Sequence, residues 1–511
     1  MSSRSRLATL AVVAVYAVVM VCTNSNFTIL DDESTIIAVA GHPVLPTLTL
    51  YLSGGGQHEH PPLSDILLHL WLVMTNFSFF MLRVFANIFF IAGILVVSKS
   101  AEILGGKKAY WATLVLGFTW PFAFQYGRIT GWYCVCMFLV SLLTWLYLRI
   151  LEERGYWSWV SFTLASIFMV WSNYFGVAIL LLLFVDFMIF HRVLARKNTR
   201  QFLISTAVIA VSFVPLLHVV LTNVGVHTAR IASDMNWKGV IATVGYPIFS
   251  IFASVAVAPW FLPLSIPIFV STIVLLVSIW FSSGRKWLVY FILSMILLGL
   301  SGHLDVKRVL FLLPWLFLAM GVATFSDTSR YPKLASAAIA VIVIVGWVGI
   351  ISGRHYATSN LYEPWGRVAH IVAGDARRGA TVISENPPFY LYLDYQLGLE
   401  RDTGGAPAAN MGERFYLDHG YKILEPDENN WQLLAEGLHD KVVLVNGSAD
   451  KPHVLLTSAL DGRLRQRCRT LGEFRAAPDP AAALKEKFAK NTAVLAYRTD
   501  VTWYDCSNQV R

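Results

Sequence analysis

Long apolar runs, each near the roughly 20 residues that a membrane-crossing helix needs, dominate the first two thirds of the chain. The first, Leu7 to Cys22, follows a basic start containing Arg4 and Arg6. No small-x-small cleavage site precedes a globular domain, so it reads as an uncleaved first helix. Further runs fall at 82–100, 110–126, 131–150, 159–173, 175–192, 203–222, 263–281, 287–301, 305–325 and 334–352, making about eleven spans. Ser64 to Asn76 is apolar but short, and it carries Asp65 and His69. It reads as an interfacial or re-entrant helix. Beyond residue 354 the pattern changes. Ala380–Ser384 and Lys441–Val445 read as buried strands, while Trp431–Leu438 and Ala481–Phe488 read as helices. The expected architecture is an all-α polytopic membrane domain over 1–352 and a C-terminal α/β domain over 354–511.

Composition agrees with a membrane protein: of 511 residues 56% are hydrophobic and 14% charged, against about 25% charged in soluble proteins. Disordered chains and simple soluble enzymes are excluded. The net charge of +8 raises the question of nucleic acid, but its placement answers otherwise. With the N-terminus inside, the inner loops hold Lys99, Lys107, Lys108, Arg149, Arg154, Arg192, Arg196, Lys197, Arg200, Arg285, Lys286, Arg330 and Lys333. The outer loops before the tail hold far fewer. This is orientation signal, and an odd number of spans places the C-terminal domain outside. There Cys468 and Cys506 can form a bridge or remain two thiols, and both readings stay open. Cys134 and Cys136 read as packing residues.

Candidate chemistry concentrates in the first outer loop, 24–65. Asp31, Asp32 and Glu33 directly follow the first span. One reading makes them the start of a helix over 32–40, with Asp31 or Asp32 as cap and Glu33 favouring the positive end. The other makes one of them a functional carboxylate, and a rigid helix start serves both. His58-Glu59-His60 suggests a metal only weakly, through Glu59 and His58, because two His do not close a site. No metal and no cofactor is expected. Gly54-Gly55-Gly56 lacks the Lys and following helix of a phosphate-binding loop. Arg83, Arg128, Lys307 and Arg308 lie at outer helix ends. The doublet Lys307-Arg308 stands on the side poor in positive charge, where it suits the phosphate of an anionic lipid.

These residues together resemble the type C membrane glycosyltransferases, in particular the bacterial branch of the protein O-mannosyltransferase and lipid A aminoarabinose transferase superfamily. The resemblance covers roughly 1–352. It rests on Asp32-Glu33, on His60-Pro61-Pro62-Leu63 before a short helix, on Leu82-Arg83-Val84, and on Lys307-Arg308-Val309-Leu310 with Leu313-Pro314. It implies a polyprenyl-phosphate-linked sugar donor, inversion by single displacement, and a glycan, lipid or protein acceptor reached from the outer face of a bacterial inner membrane. Asp32 takes the position of the catalytic aspartate, with Glu33 orienting it or touching the acceptor and Asp31 as the alternative acid. His60, Arg128, Lys307 and Arg308 are implied as donor-phosphate ligands. The aminoarabinose enzymes have Glu-Lys-Pro-Pro where this chain has Glu59-His60-Pro61-Pro62, which points toward the broader hexose-transferring branch. A transporter or flippase of lipid-linked saccharides is the competing reading. It would carry inverted repeats, and the sequence has no internal repeat.

Overall fold

A computed structural model describes residues 3–24, 31–52, 60–76, 78–233, 244–254, 257, 259, 262–301, 304–325, 330–352, 365–399, 402, 413–426, 431–447, 456–476 and 499–507. They belong to two compact units. One comprises Met1–Asn24, Pro43–Leu68 and Leu82–Ser352; the other comprises Ser25–His42, His69–Met81 and Gly353–Arg511.

Helices are numbered along the chain, with some short ones left unlabelled. The first are α1 (Ser3–Thr23), α2 (Asp31–Gly41), α3 (Val44–Leu52), α4 (Leu63–Met74), α5 (Phe79–Thr119), α6 (Trp132–Leu151), α7 (Tyr156–Ser172), α8 (Gly176–Phe190) and α9 (Thr199–Ser233). Then come α10 (Leu262–Trp280), α11 (Arg285–Leu300), a 3₁₀ turn (Lys307–Leu312), α12 (Leu313–Phe325) and α13 (Pro332–Ser352). The apolar runs expected to span fall largely on helices. Among the described residues, seven helices are long and apolar enough to cross a membrane. The runs 82–100 and 110–126 join in α5, which is interrupted at Gly106, where φ is 73°. Glycine enters that region without Cβ strain. α5 then stops at Thr119, and Pro121 opens a separate short helix, Pro121–Tyr126, since proline cannot continue a helix from its own missing N–H. α4 is a 12-residue helix, too short to span, as its sequence suggested.

Within this unit α12 is buried on all sides from Leu313 to Thr324, the pattern of a central helix. By contrast Leu203, Val211 and Val214 on α9 and Ile266, Phe269 and Val270 on α10 are exposed, an apolar surface fit for lipid. One buried ionic cluster joins three helices. Asp186 of α8 lies 2.5 Å from Lys286 Nζ of α11 and accepts a hydrogen bond from Tyr147 of α6. The ammonium lies 5.6–5.7 Å from the ring centres of Tyr147, Trp287 and Tyr290.

The second unit is built on a five-stranded sheet of order β2-β1-β3-β5-β4, with β1 (Thr381–Ile383), β2 (Ile423–Leu424), β3 (Lys441–Gly447), β4 (Arg469–Ala476) and β5 (Thr499–Asp505). β1 runs parallel to β2 and β3, while β5 is antiparallel to β3 and β4. Side chains alternate across a strand. Val443 and Val445 accordingly join one core with α14 (Trp365–Arg377) and α15 (Pro387–Leu397), while Val442 and Leu444 join the other. α14 buries Trp365, Val368, Ala369, Val372, Ala373 and Ala376, a stripe at helical spacing. The second core contains α16 (Trp431–Gly437), α17 (Leu456–Arg467), and Cys468 and Cys506. These cysteines form a disulfide, which decides the alternative left open by their sequence. The expected helix Ala481–Phe488 lies outside the described residues.

The bridge closes a loop of 38 residues. In a chain-entropy account, removing it costs about 4 kcal/mol. Cys468→Ser with Cys506→Ser in the full chain is expected to unfold the second unit at clearly lower urea, followed by pulse proteolysis. An unchanged midpoint would show that the bridge carries little of its stability.

Candidate active site

Three successive acids favour a helix start, because its free N–H groups and dipole attract negative charge. α2 begins at Asp31 and ends at Gly41, just before Pro43. Among its described side chains, Glu33, Ile36, Ile37 and Ala40 are buried, the i, i+3, i+4, i+7 stripe of one helix face. Glu33 is therefore carried inward by the same spacing that buries the two isoleucines. α2 packs against α15 of the second unit. At its far end the Ala40 carbonyl lies 2.8 Å from His69 Nδ1. The side chains of Asp31 and Asp32 lie outside what the structure describes.

His60 belongs to the first unit. Its Nδ1 lies 3.9 Å from Asp65 Oδ2, and the phenol of Tyr51 donates to the same carboxylate oxygen. The His60 ring is 5.9 Å from that of Trp132, which is 6.0 Å from that of Phe311. Phe311 is on the 3₁₀ turn that bears Lys307 and Arg308. The imidazole is thus linked through two aromatic rings to the turn that bears the cationic doublet. Both cations are partly buried, and Lys307 Nζ lies 4.0 Å from Asp305. Burial pushes the Asp65 carboxyl above its ordinary range, opposed by His60 and by the Tyr51 hydrogen bond. Burial and the adjacent carboxylate hold the Tyr51 phenol un-ionised. His58, Glu59 and His303 lie outside the described residues, and among the described ones no three His, Cys, Asp or Glu side chains come together as metal ligands.

Arg128 is wholly buried in the same unit. Its Nε donates to the Phe124 carbonyl at 3.1 Å, and one terminal nitrogen reaches the Thr23 carbonyl at 3.2 Å and the Thr23 hydroxyl at 2.8 Å. The other meets Met20 Sδ at 2.9 Å, and the Phe124 ring lies 4.1 Å away. Arg83 donates to the Arg128 carbonyl at 2.8 Å. Burial pushes the guanidinium down to about 9, with Arg83 adding to the effect and Tyr16 opposing it. It remains a cation at neutral pH.

Two solved structures are similar over nearly the whole chain. ArnT from Cupriavidus metallidurans in the apo state gives a TM-score of 0.55 at 13% identity, covering 98% of each chain. The same protein bound to undecaprenyl phosphate gives 0.54, again at 13% identity and 98% of each chain. The chain has the ArnT fold. No family model matches the sequence, and no curated protein matches it significantly.

Within this ArnT-like fold, the residues singled out in the sequence divide between the units. Asp31, Asp32 and Glu33 lie in the second, and His60, Arg128, Lys307 and Arg308 in the first. Tyr51, Asp65 and Trp132 were not singled out as site residues. One signal for Asp65 was available: it is the one acid in a short, mostly apolar helix. Nothing in the sequence pattern marks Tyr51 or Trp132, since both look like core aromatics.

The contacts of Arg128 make it a brace. Arg128→Leu leaves buried carbonyl groups unmet, at about 1–3 kcal/mol each. It should lower the thermal midpoint of the purified protein in detergent, and Arg128→Lys should recover part of the loss. Equal midpoints for wild type and Arg128→Leu would rule the brace out.

Proposed function

We propose that the chain is an inverting glycosyltransferase of a bacterial inner membrane, moving a sugar from a polyprenyl-phosphate-linked donor to a glycan, lipid or protein acceptor on the outer face. The observation that carries this reading is the likeness, over 98% of both chains, to a protein solved with undecaprenyl phosphate bound. The residue chemistry supports it. An acceptor hydroxyl attacks the anomeric carbon, its proton passes to a carboxylate, and the carbon–oxygen bond to the lipid phosphate breaks. The phosphate leaves with the bonding pair. A phosphomonoester is a modest base with a second pKa near 6, so it needs positive charge more than a proton donor.

Asp32 is the base in this reading, with Asp31 as the alternative acid. Glu33, buried on α2, orients it or meets the acceptor. Lys307, Arg308 and His60 hold the leaving phosphate. Arg128 enters differently, because its donors already meet Thr23, Phe124 and Met20; it keeps the end of α1 in place. The N-terminus is cytoplasmic and the C-terminal domain extracytoplasmic, the orientation that the basic inner loops favour.

Release of free polyprenyl phosphate from a panel of polyprenyl-phosphate sugars, with envelope lipid extract as acceptor, tests the reaction. Asp32→Asn should lower turnover about 10²–10⁴-fold, as loss of a general base does, while Asp31→Asn should keep most of it. The reverse pattern would make Asp31 the base. Tight donor binding without release from any donor would favour a carrier of lipid-linked saccharides.

Binding of undecaprenyl phosphate tests the cations separately. A charge-assisted hydrogen bond contributes about 1.5–3 kcal/mol. Lys307→Gln and Arg308→Gln should each weaken binding roughly tenfold or more, with undecaprenol as the control for the tail. Unchanged affinity in both variants would remove the doublet from the phosphate site.

A further inference from the structure

Asp65 is buried to 1% exposure on α4, within an apolar stretch where an acid is costly. The mechanism above makes no use of it. Its Oδ2 takes the hydrogen bond from Tyr51 and faces His60 Nδ1 at 3.9 Å, while Oδ1 has no hydrogen-bond partner among the described residues. A packing role would be filled better by an apolar side chain, with neither desolvation nor an unmet oxygen. The acid also stands five residues after His60, so α4 and the Pro61-Pro62 turn fix the spacing between them. The Pro62 carbonyl accepts the Ile66 N–H at 2.9 Å, which ties that turn to the first turn of α4. Tyr51 holds the carboxylate from the other side. Trp132 lies beside the imidazole ring, which is itself largely buried. The ring is therefore confined, and its Nδ1 faces two oxygens, the Pro61 carbonyl at 3.4 Å and the Asp65 carboxylate at 3.9 Å.

We propose that Asp65 is a positioning residue: it turns the His60 imidazole so that Nδ1 is directed to its carboxylate and Nε2 is left to the phosphate of the lipid-linked donor. The general chemistry is familiar, since the partner of one ring nitrogen sets the tautomer and orientation of the other. A lysine at position 60 would need no such partner, because its ammonium is a point charge with freely rotating donors. With a lysine there, the acid would lose its orienting use and keep only the hydrogen bond from Tyr51. This inference rests on the reading of His60 as a donor-phosphate ligand.

The test is a double-mutant cycle on undecaprenyl phosphate binding by the full chain in detergent, with undecaprenol as control. Asp65→Asn keeps an acceptor for Tyr51 and removes the charge, and Asp65→Thr repeats the comparison should the amide not be accepted. Either substitution should weaken binding about tenfold in the wild-type background. In the His60→Lys background, which should itself bind, the same substitution should change affinity less than twofold. Equal weakening in both backgrounds would reduce Asp65 to a structural role, and no weakening in either would also overturn the proposal. Wild-type protein that prefers undecaprenyl phosphate no more than undecaprenol would instead bring down the donor reading, and this proposal with it.

Discussion

The guanidinium of Arg128 lies where water cannot reach it, and its N–H groups are spread over separate stretches of chain. A cation taken out of water must be met by acceptors within the protein, or its burial costs several kcal/mol. The end of α1, the short helix Pro121–Tyr126 and, through Arg83, the start of α5 are drawn to one point by that requirement. The same constraint acts again where Asp186 joins α6, α8 and α11 through Tyr147 and Lys286. It acts a third time where Asp65 meets Tyr51 and His60. In an apolar bundle, packing alone is tolerant of sliding and rotation, whereas polar pairs of this kind have one geometry.

Candidate chemistry is divided accordingly. The acids sit on α2, whose inward stripe packs within the second unit against α15. The candidate phosphate ligands sit in the first unit, on elements fixed by buried polar contacts and aromatic rings. Within the second unit, α15 supplies a surface on which the acid-bearing helix rests. Pro387 and Pro388 start α15, and Gly398, with φ 78°, ends it. The length of that resting surface is set by residue types that begin and stop helices.

At 13% identity, likeness across nearly the whole chain reflects how little of a membrane fold depends on particular side chains. Runs of apolar residues specify spans whatever their members, and loops carry the orienting charges. Function resides in a few polar positions that can change within the same frame.

Much of the architecture was legible in the sequence. The apolar runs, the shortness of α4, the strands at Thr381–Ile383 and Lys441–Gly447 and the switch to an α/β tail all follow from local periodicity, which depends on residues close in the chain. So did the acids after the first span and the histidine before Pro61-Pro62, because their chemistry is unusual in their surroundings. The joining of two runs in α5 across Gly106, the bridge between Cys468 and Cys506, and the meeting of Tyr51, Asp65, His60 and Trp132 were not legible. Nor was the reach of Arg128 back to Thr23, 105 residues earlier. Each of these depends on which distant segments meet. Periodicity says which face of a helix is buried, and only packing in three dimensions decides what that face is buried against.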